Sequence, residues 1–498
     1  WTGATDIHKE DWIRGSLSDL SEKYVSHVRK GELYERGENN RQFVMENYEL
    51  RKISLQLWNV IAKSNQGMDT SVPFVREIDR SSLLPMLHAE SNRMWVNTLV
   101  HDDNQLFSAA DEAIRQIREP IDEIVILAAH MDLNLIDGSA IWFASMAEML
   151  AATGIHVVCS IASEAESSPI IQPLLVLDNV TIITPTKMGL KAFGRKLPHD
   201  DYVDMVNSLA TYLPGQTKVF SRGFDLVQDL SQLDGIEVWA YLTDYYRHED
   251  DGSATVKETT AALVQAICER GGKILCQTSL IQKELTHLSG MPEHQFVELP
   301  PMIPNEAPEP LSGGVQDGKV DIVYAGKMAP LWGVEPLLDV ASSELAVKVI
   351  GDKIHNGPAD DATFRRRITS KLETNEHVDW IHRLPREEVL KHVGSADIAW
   401  CARDAYFESQ TRELSTKVLE CILVGTPPIL TRSVLHEELL GSDWPFFVDG
   451  PDDDSWAVDL PVKLESANER VLKLKLGLQK HNILTVSQTF RSTLGMEK

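Results

Sequence analysis

The sequence predicts an α/β protein in which two consecutive, doubly wound parallel sheets follow a helical N-terminal region. Three observations predict it. From Glu123 onward, short apolar runs alternate with stretches patterned as helices. A segment rich in proline and glycine, 305–319, interrupts that series once. The same alternation then restarts at Val320. Strand and helix in turn at this spacing form parallel sheets. A segment holding Pro308, Pro310, Gly313, Gly314 and Gly318 can be neither helix nor central strand, so it reads as a linker.

Composition agrees with an ordinary globular chain, at 498 residues, 43% hydrophobic and 24% charged. At about 150 residues per domain the length suggests roughly three units. Lys+Arg number 48 against 74 Asp+Glu, a formal net charge of -26. Such a surplus repels phosphate backbones and anionic lipid, so nucleic acid is not the expected partner. A local basic pocket for one small anion remains compatible with it. The cysteines are Cys159, Cys268, Cys276, Cys401 and Cys421, an odd number with no CxxC pair. That pattern fits thiols in a reducing compartment better than a disulfide framework or a zinc site. The residues before Trp12 are polar and charged, unlike the apolar core of a signal peptide. No apolar run approaches the ~18 residues that cross a bilayer. A cytoplasmic location without a membrane span is therefore expected.

Residues 1–118 are rich in Glu, Arg, Asn, Leu and Trp, and no strand-like run interrupts them. Leu50, Ile53, Leu55, Leu57, Trp58 and Ile61 have helical spacing. This helical region is the expected surface for homo-oligomer formation. In the first lobe, 119–304, the strands are Glu123–Ala129, His156–Ile161, Val180–Ile183, Lys218–Ser221, Val238–Leu242 and Lys273–Gln277. Continuous apolar runs of this length suit strands covered on both faces. Helices are expected over Gly138–Ala152 and Val256–Arg270. In the second lobe, 320–460, the strands are Val320–Ala325, Ala346–Ile350, Val378–Ile381, Ile398–Cys401 and Pro428–Leu430. Helices are expected over Val334–Ser342, Asp361–Leu372, Pro385–Val393 and Thr416–Val424. The remainder, 461–498, reads as C-terminal helices, amphipathic from Pro461 to Leu478, with a short helix after Ser487. In open parallel sheets, ligands bind beyond the carboxyl ends of the strands, so two facing lobes make a cleft for a two-part substrate.

The most specific pattern lies in the second lobe. Lys417-Val418-Leu419-Glu420-Cys421-Ile422-Leu423-Val424-Gly425-Thr426-Pro427-Pro428-Ile429-Leu430 is a helix carrying a Glu, followed by a Gly-x-Pro turn into an apolar strand. Upstream stand Tyr324-Ala325-Gly326-Lys327, Gly333 to Leu338, His382 to Leu390, and Ser395-Ala396-Asp397-Ile398. Together they resemble the nucleotide-sugar lobe of glycosyltransferase family 4 and related GT-B enzymes. The resemblance implies two Rossmann-like lobes facing a cleft, with the donor held mainly by the second and the acceptor by the first. It implies that Glu420 hydrogen-bonds the ribose hydroxyls. The family's earlier Glu, in its Glu-x7-Glu pattern, falls at Arg412, and Glu413 is the nearest acid. Trp332 stands where the family has a second basic residue.

Physical chemistry points to the same residues. A nucleotide-diphosphate sugar carries a charged pyrophosphate, and helix N-termini offer free N–H groups to such a group. Ser415 is the expected N-cap of the helix 416–424, which places the Thr416 amide beside it. Lys327 and Lys417 are placed to offset charge gained by the leaving phosphate. With lysines and amides in that role no metal is expected, and no cofactor besides the donor. Arg403 follows the strand 398–401. In the first lobe Gly138 and Ser139 open a helix, in a loop that approaches donor phosphate or acceptor in the family. Arg222 and Asp244 follow strands on the same side. The family places a His-Asp pair near Asp244, and here Thr243 takes the place of the His. Asp244, Glu413, Lys327 and Lys417 are thus the candidate catalytic groups. His130 reads as structural, and Asp452-Asp453-Asp454 as a solvated turn rather than a metal site.

The expected function is transfer of a sugar from a nucleotide-diphosphate donor to a hydroxyl acceptor, metal-independent, with retention implied by the resemblance. A nucleotide-sugar epimerase on the same fold is the alternative within enzymes, and would need paired carboxyls around the sugar carbon. A catalytically degenerate partner subunit is the non-enzymatic alternative. A Rossmann dehydrogenase is disfavoured, since no G-x-G-x-x-G follows a strand.

Overall fold

The structure, a computed structural model, describes residues 124–495 apart from 191, 193–194, 214–215, 249–252, 312–318 and 356–361. The expected N-terminal helices and their self-association surface lie outside the described residues, as does part of the linker, 312–318.

The strands of the first lobe are β1 (Ile124–Ala129), β2 (His156–Ile161), β3 (Val180–Ile183), β4 (Thr217–Arg222), β5 (Ile236–Tyr241), β8 (Lys273–Cys276) and β9 (Phe296–Glu298). They form one seven-stranded sheet in the order β3-β2-β1-β4-β5-β8-β9. Every pairing in it is parallel. The strands of the second lobe are β10 (Val320–Ala325), β11 (Leu345–Ile350), β12 (Val378–Ile381), β13 (Ile398–Trp400), β14 (Pro428–Thr431) and β15 (Phe447–Val448). They form a six-stranded parallel sheet, β12-β11-β10-β13-β14-β15. Each sheet starts in the middle and winds outward both ways. The winding reverses between β1 and β4 in one lobe and between β10 and β13 in the other. Ligand crevices open at such reversal points.

Alternation along β1 builds two cores. Ile126 and Ala128 face one layer, with Tyr202, Val206 and Val227. Val125, Leu127 and Ala129 face the other, with Phe143 and Met146 of α1 (Gly138–Ala152). Successive strand residues point to opposite faces, and both faces here are covered by helices. On the first face lie α2 (His199–Tyr212) and α3 (Phe224–Leu230).

The edge strands β9 and β15 were not expected from the sequence, and two further stretches differ from the expectation. The helix expected from Val256 starts at Thr260 as α4 (Thr260–Glu269), because 254–256 pairs antiparallel with 246–248 as a short hairpin, β6 and β7. The Lys257 amide then donates to Tyr245 O at 2.8 Å, which closes the hairpin before the helix begins. The last helix, α13 (Ile483–Thr493), starts earlier than Ser487. Ile483, Val486, Phe490 and Leu494 form one apolar stripe on it, and that stripe returns to the first lobe. Phe490 packs 6.0 Å from Phe220 and 5.8 Å from Trp239, centroid to centroid. The longer tail helix, α12 (Leu460–Gly477), stays on the second lobe through Ala467 and Val471. Among the described residues no helix is long and apolar enough to cross a membrane.

Candidate active site between two lobes

The reversal point of the second sheet gathers three cations. Lys327 follows β10 and Arg403 follows β13. Gly326, between β10 and Lys327, has φ +131°, which favours a residue without a side chain. A Cβ at Gly326 would sit 3.5 Å from Lys417 Cε and 3.6 Å from its Nζ. The third cation, Lys417, therefore lies against this turn. Its Nζ rests 3.9 Å above the Tyr324 ring centroid, while Lys327 Nζ rests 4.2 Å above that of Trp332. Arg403 lies 5.8 Å from the same Trp332 ring and donates to Glu408 Oε2 at 3.4 Å. Glu408 in turn meets His436 at 3.6 Å. Neither lysine head has a hydrogen-bond acceptor or counter-ion among the described residues. Burial lowers the pKa of both, that of Lys327 to about 8, with Lys353 adding to the effect on Lys327. Two partly buried ammonium groups held only by rings add little to the stability of the fold and make a good anion site.

The helix α10 (Thr416–Val424) carries Lys417 and Glu420 on this crevice. Ser415 sits at its N-cap with extended backbone but makes no side-chain cap bond. The amides of Thr416 and Lys417 have no acceptor within the described residues, so this helix start is open. The chain just before it docks on the first lobe. Leu414 N donates to Gln277 Oε1 at 2.7 Å, and Thr278 Oγ1 donates to Arg412 O at 2.8 Å. Arg412 also faces Glu284 at 3.4 Å. Arg412, where the family has a Glu, is thus an interlobe anchor in this chain. Glu413 accepts from Tyr246 Oη at 3.3 Å across the lobes. Burial raises its carboxyl pKa, nearby Asp244 adds to this, and Arg222 and Arg403 oppose it. Asp244 accepts from Phe224 N at 2.8 Å through Oδ2, and its Oδ1 is buried without a partner.

Glu420 has a partner that the sequence does not announce. Its Oε1 accepts from Arg386 Nε at 2.7 Å, both side chains being nearly buried. The same guanidinium donates to Ser145 Oγ at 2.9 Å in the first lobe and to Met302 O at 3.1 Å near the linker. Glu420 is therefore held by a three-way strut, with one oxygen turned to protein.

No family model and no curated protein matches this chain in sequence. Solved structures do match in shape. Anabaena HepE in complex with UDP-glucose has a TM-score of 0.53 at 10% identity, covering 75% of this chain and 100% of that one. Sucrose-phosphate synthase from Thermosynechococcus elongatus has 0.53 at 14% identity, with the same coverage. The pneumococcal O-GlcNAc transferase GtfA, in complex with UDP and GlcNAc, has 0.55 at 9% identity, covering 76% and 99%.

The fold is GT-B.

Within that GT-B frame the first-lobe candidates are placed as follows. Asp137 is the N-cap of α1, and its Oδ1 accepts from Ser139 N at 2.9 Å and Ala140 N at 3.0 Å. The Ser139 amide is thus occupied by the chain's own carboxylate. Gly138 has open space around it, with nothing within 4 Å of a built Cβ. The other oxygen of Asp137 binds Lys353 of the second lobe, so the expected phosphate loop is an interlobe ion pair here. Burial alone would raise the Asp137 pKa, but Lys353 and the helix amides outweigh it and lower it. His130 is structural in its contacts: Nε2 meets Leu197 O at 2.7 Å, its ring stacks on Tyr202, and burial lowers its pKa to about 4. Asp453 closes its own turn by accepting from Asp449 N and Ser455 N, each at 2.8 Å.

Two residues at this GT-B cleft were not read as site residues from sequence: Arg386 and Trp332. Arg386 stands at the start of a helix among other charges, which gives no signal. Trp332 gave one, standing where a basic residue was expected.

Proposed function

We propose that this chain transfers a sugar from a nucleoside-diphosphate donor, gripped by the second lobe, to a hydroxyl on an acceptor held against the first. One observation carries the reading. Lys327 and Lys417 stand unpaired on aromatic beds at the sheet's reversal point, beside the open start of α10. A diphosphate supplies the two things this place lacks, negative charge and hydrogen-bond acceptors. As the sugar departs, charge grows on the diphosphate, and the two ammonium groups and the Thr416 and Lys417 amides stabilise it without reorganising. They supply the charge that a divalent cation supplies elsewhere. Glu420 keeps one oxygen for the ribose diol while Arg386 holds the other. HepE and GtfA, structures crystallised with UDP or a UDP-sugar, support a nucleotide sugar as the ligand class.

For the acceptor, the buried Asp244 Oδ1 without a partner is the group placed to receive a hydroxyl proton. Glu413, whose carboxyl pKa burial raises, lies beside it as a second acidic group for the sugar. The five free, buried thiols support a chain that works in a reducing cytoplasm.

The test is a thermal-shift and hydrolysis screen of UDP-, GDP-, ADP- and dTDP-sugars. At least one donor is expected to stabilise the protein and be slowly hydrolysed. Lys417→Ala should remove that stabilisation. A donor that binds the variant as well as the parent would place the nucleotide elsewhere.

A further inference from the structure

The reversal point of the first sheet holds a cation that donor binding leaves unused. Arg222 ends β4, beside the end of β1 and in register with Tyr241 of β5. Its guanidinium carbon lies 5.5 Å from the Trp142 ring centroid and 5.6 Å from that of Tyr241. The two rings are 5.1 Å apart and tilted by 32°. Both rings therefore lie to one side of the guanidinium. Among the described residues no carboxylate pairs with Arg222 and no oxygen accepts from it.

A second, independent observation lies in the same place. Trp142 is only 7% exposed, and its indole Nε1 is buried with no acceptor. Buried donors left unmatched are rare in native proteins, and each needs a reason. Here an unmatched indole N–H and an unmatched guanidinium share one ring system.

The charges of the cleft show what would meet them. Lys353 is neutralised by Asp137, Arg386 by Glu420, and Arg403 by Glu408. The donor diphosphate, on the reading above, takes Lys327 and Lys417. Arg222 remains, on the lobe away from the donor. Glu413 is the acid that acts on it from a distance, and burial favours the neutral form of that carboxyl. In a chain of net charge -26, a cation this enclosed and unpaired is not part of general charge balance.

We propose that Arg222 and the indole N–H of Trp142 form an anion subsite of the first lobe, which takes a phosphate or carboxylate group carried by the acceptor. Planar guanidinium binds either group through two parallel hydrogen bonds, and the indole adds a third donor. The substrate class is thus an acidic acceptor, either a sugar phosphate or a uronic acid. Calling the ligand an acceptor rests on the sugar-transfer reading; the anion subsite itself does not.

Two measurements on the full chain test it. The first is calorimetric titration with inorganic phosphate and with glucuronate. A binding event is expected that Lys417→Ala leaves in place and Arg222→Gln removes. The second is turnover of the donor found in the screen, with a hexose 6-phosphate, a hexuronate and a neutral hexose offered as acceptors. One acidic acceptor should exceed the neutral sugar at least tenfold in kcat/KM, and which one does so identifies the anion. Arg222→Gln should raise the KM for that acceptor at least tenfold and leave the donor KM unchanged. Trp142→Phe, which keeps an aromatic ring but loses the N–H together with part of the indole's volume, should give a smaller rise in the same constant. Equal anion binding by parent and Arg222→Gln overturns the subsite, as does preference for the neutral hexose. A rise confined to the donor KM would assign Arg222 to the donor and equally refute the proposal. Failure of every donor, with Arg222-dependent phosphate binding intact, would sink the sugar-transfer reading and spare this one.

Discussion

Replacing Arg386 by Met probes the strut that joins Glu420 of α10, Ser145 of the first lobe and Met302 just before the linker. Met keeps much of the volume and removes every donor. Glu420 is then left with a carboxylate whose side chain is only 12% exposed and whose counter-ion is gone. Breaking a buried pair by removing one partner costs about 3–5 kcal/mol. Ser145 Oγ and Met302 O lose the same charged donor, worth at least ~1 kcal/mol each. Because Arg386 and Glu420 are not fully sealed from water, the lower end applies to the pair, about 3 kcal/mol, and the two lost hydrogen bonds bring the total to about 5 kcal/mol. Donor binding should weaken too, since Glu420 loses its fixed orientation. A charge-assisted bond to the ribose is worth roughly 1.5–3 kcal/mol, so a loss of about tenfold or more in Kd is expected. The assay is urea unfolding followed by circular dichroism, with donor titration in parallel. The double variant Arg386→Met/Glu420→Gln separates the two effects. It removes the stranded charge, so it should recover most of the stability while donor affinity stays low. Stability within about 1 kcal/mol of the parent and an unchanged donor Kd in the single variant would refute the strut. So would a double variant as unstable as the sum of both single changes.

The remaining expectations concern a cation and a core contact. Lys327→Met should abolish donor binding yet raise stability at pH 7, because it removes an enclosed charge without a partner. The folded chain releases the Lys327 proton near pH 8 and the unfolded chain near 10.5, so between these values the unfolded state binds more protons. Parent stability therefore rises with pH across that window, and the variant should show a smaller rise, Lys417 still contributing; matching slopes in urea midpoints at pH 7 to 10 would contradict it. Phe490→Ala should cost about 3–5 kcal/mol by emptying the contact with Phe220 and Trp239, with native donor affinity once folded. A loss under about 1 kcal/mol would mean that α13 is not part of the first-lobe core.

How much of this was legible follows from the range of each interaction. The strands 124–129 and 320–325 announce themselves because burial on both faces demands unbroken apolar runs. The helix 416–424 is bounded by Gly425 and Pro427, local signals that need no tertiary knowledge. Lys327 and Lys417 were legible as cations at strand and helix ends. What they lie against, Trp332 and Tyr324, was not. The Asp137-Gly138-Ser139 start of α1 was readable as a helix opening, and the N-capping carboxylate was within that same pattern. That its second oxygen meets Lys353, more than two hundred residues onward, has no trace in local spacing. Arg386 and Glu420 are likewise each ordinary in their own helices. Only the closing of two sheets against each other makes them a pair.

The use of rings beneath the cleft cations has a physical logic that carboxylates would not serve. A lysine taken from water must be compensated, and an acid beside it would do so most strongly. That acid would also occupy the hydrogen-bond donors and cancel the charge a phosphate needs. An aromatic face compensates by its quadrupole, at roughly 0.5–2 kcal/mol, and accepts little of the N–H edge. Tyr324 under Lys417, Trp332 under Lys327, and Trp142 and Tyr241 to one side of Arg222 repeat this arrangement at both reversal points. Where the chain uses acids instead, at Glu420 with Arg386 and Asp137 with Lys353, the cation bridges the lobes or holds another group. What backs each cation therefore divides them by role. Lys327, Lys417 and Arg222, backed by rings alone, keep their N–H groups without an acceptor among the described residues, whereas Arg403, which meets both a ring and Glu408, and the cations paired with acids do not.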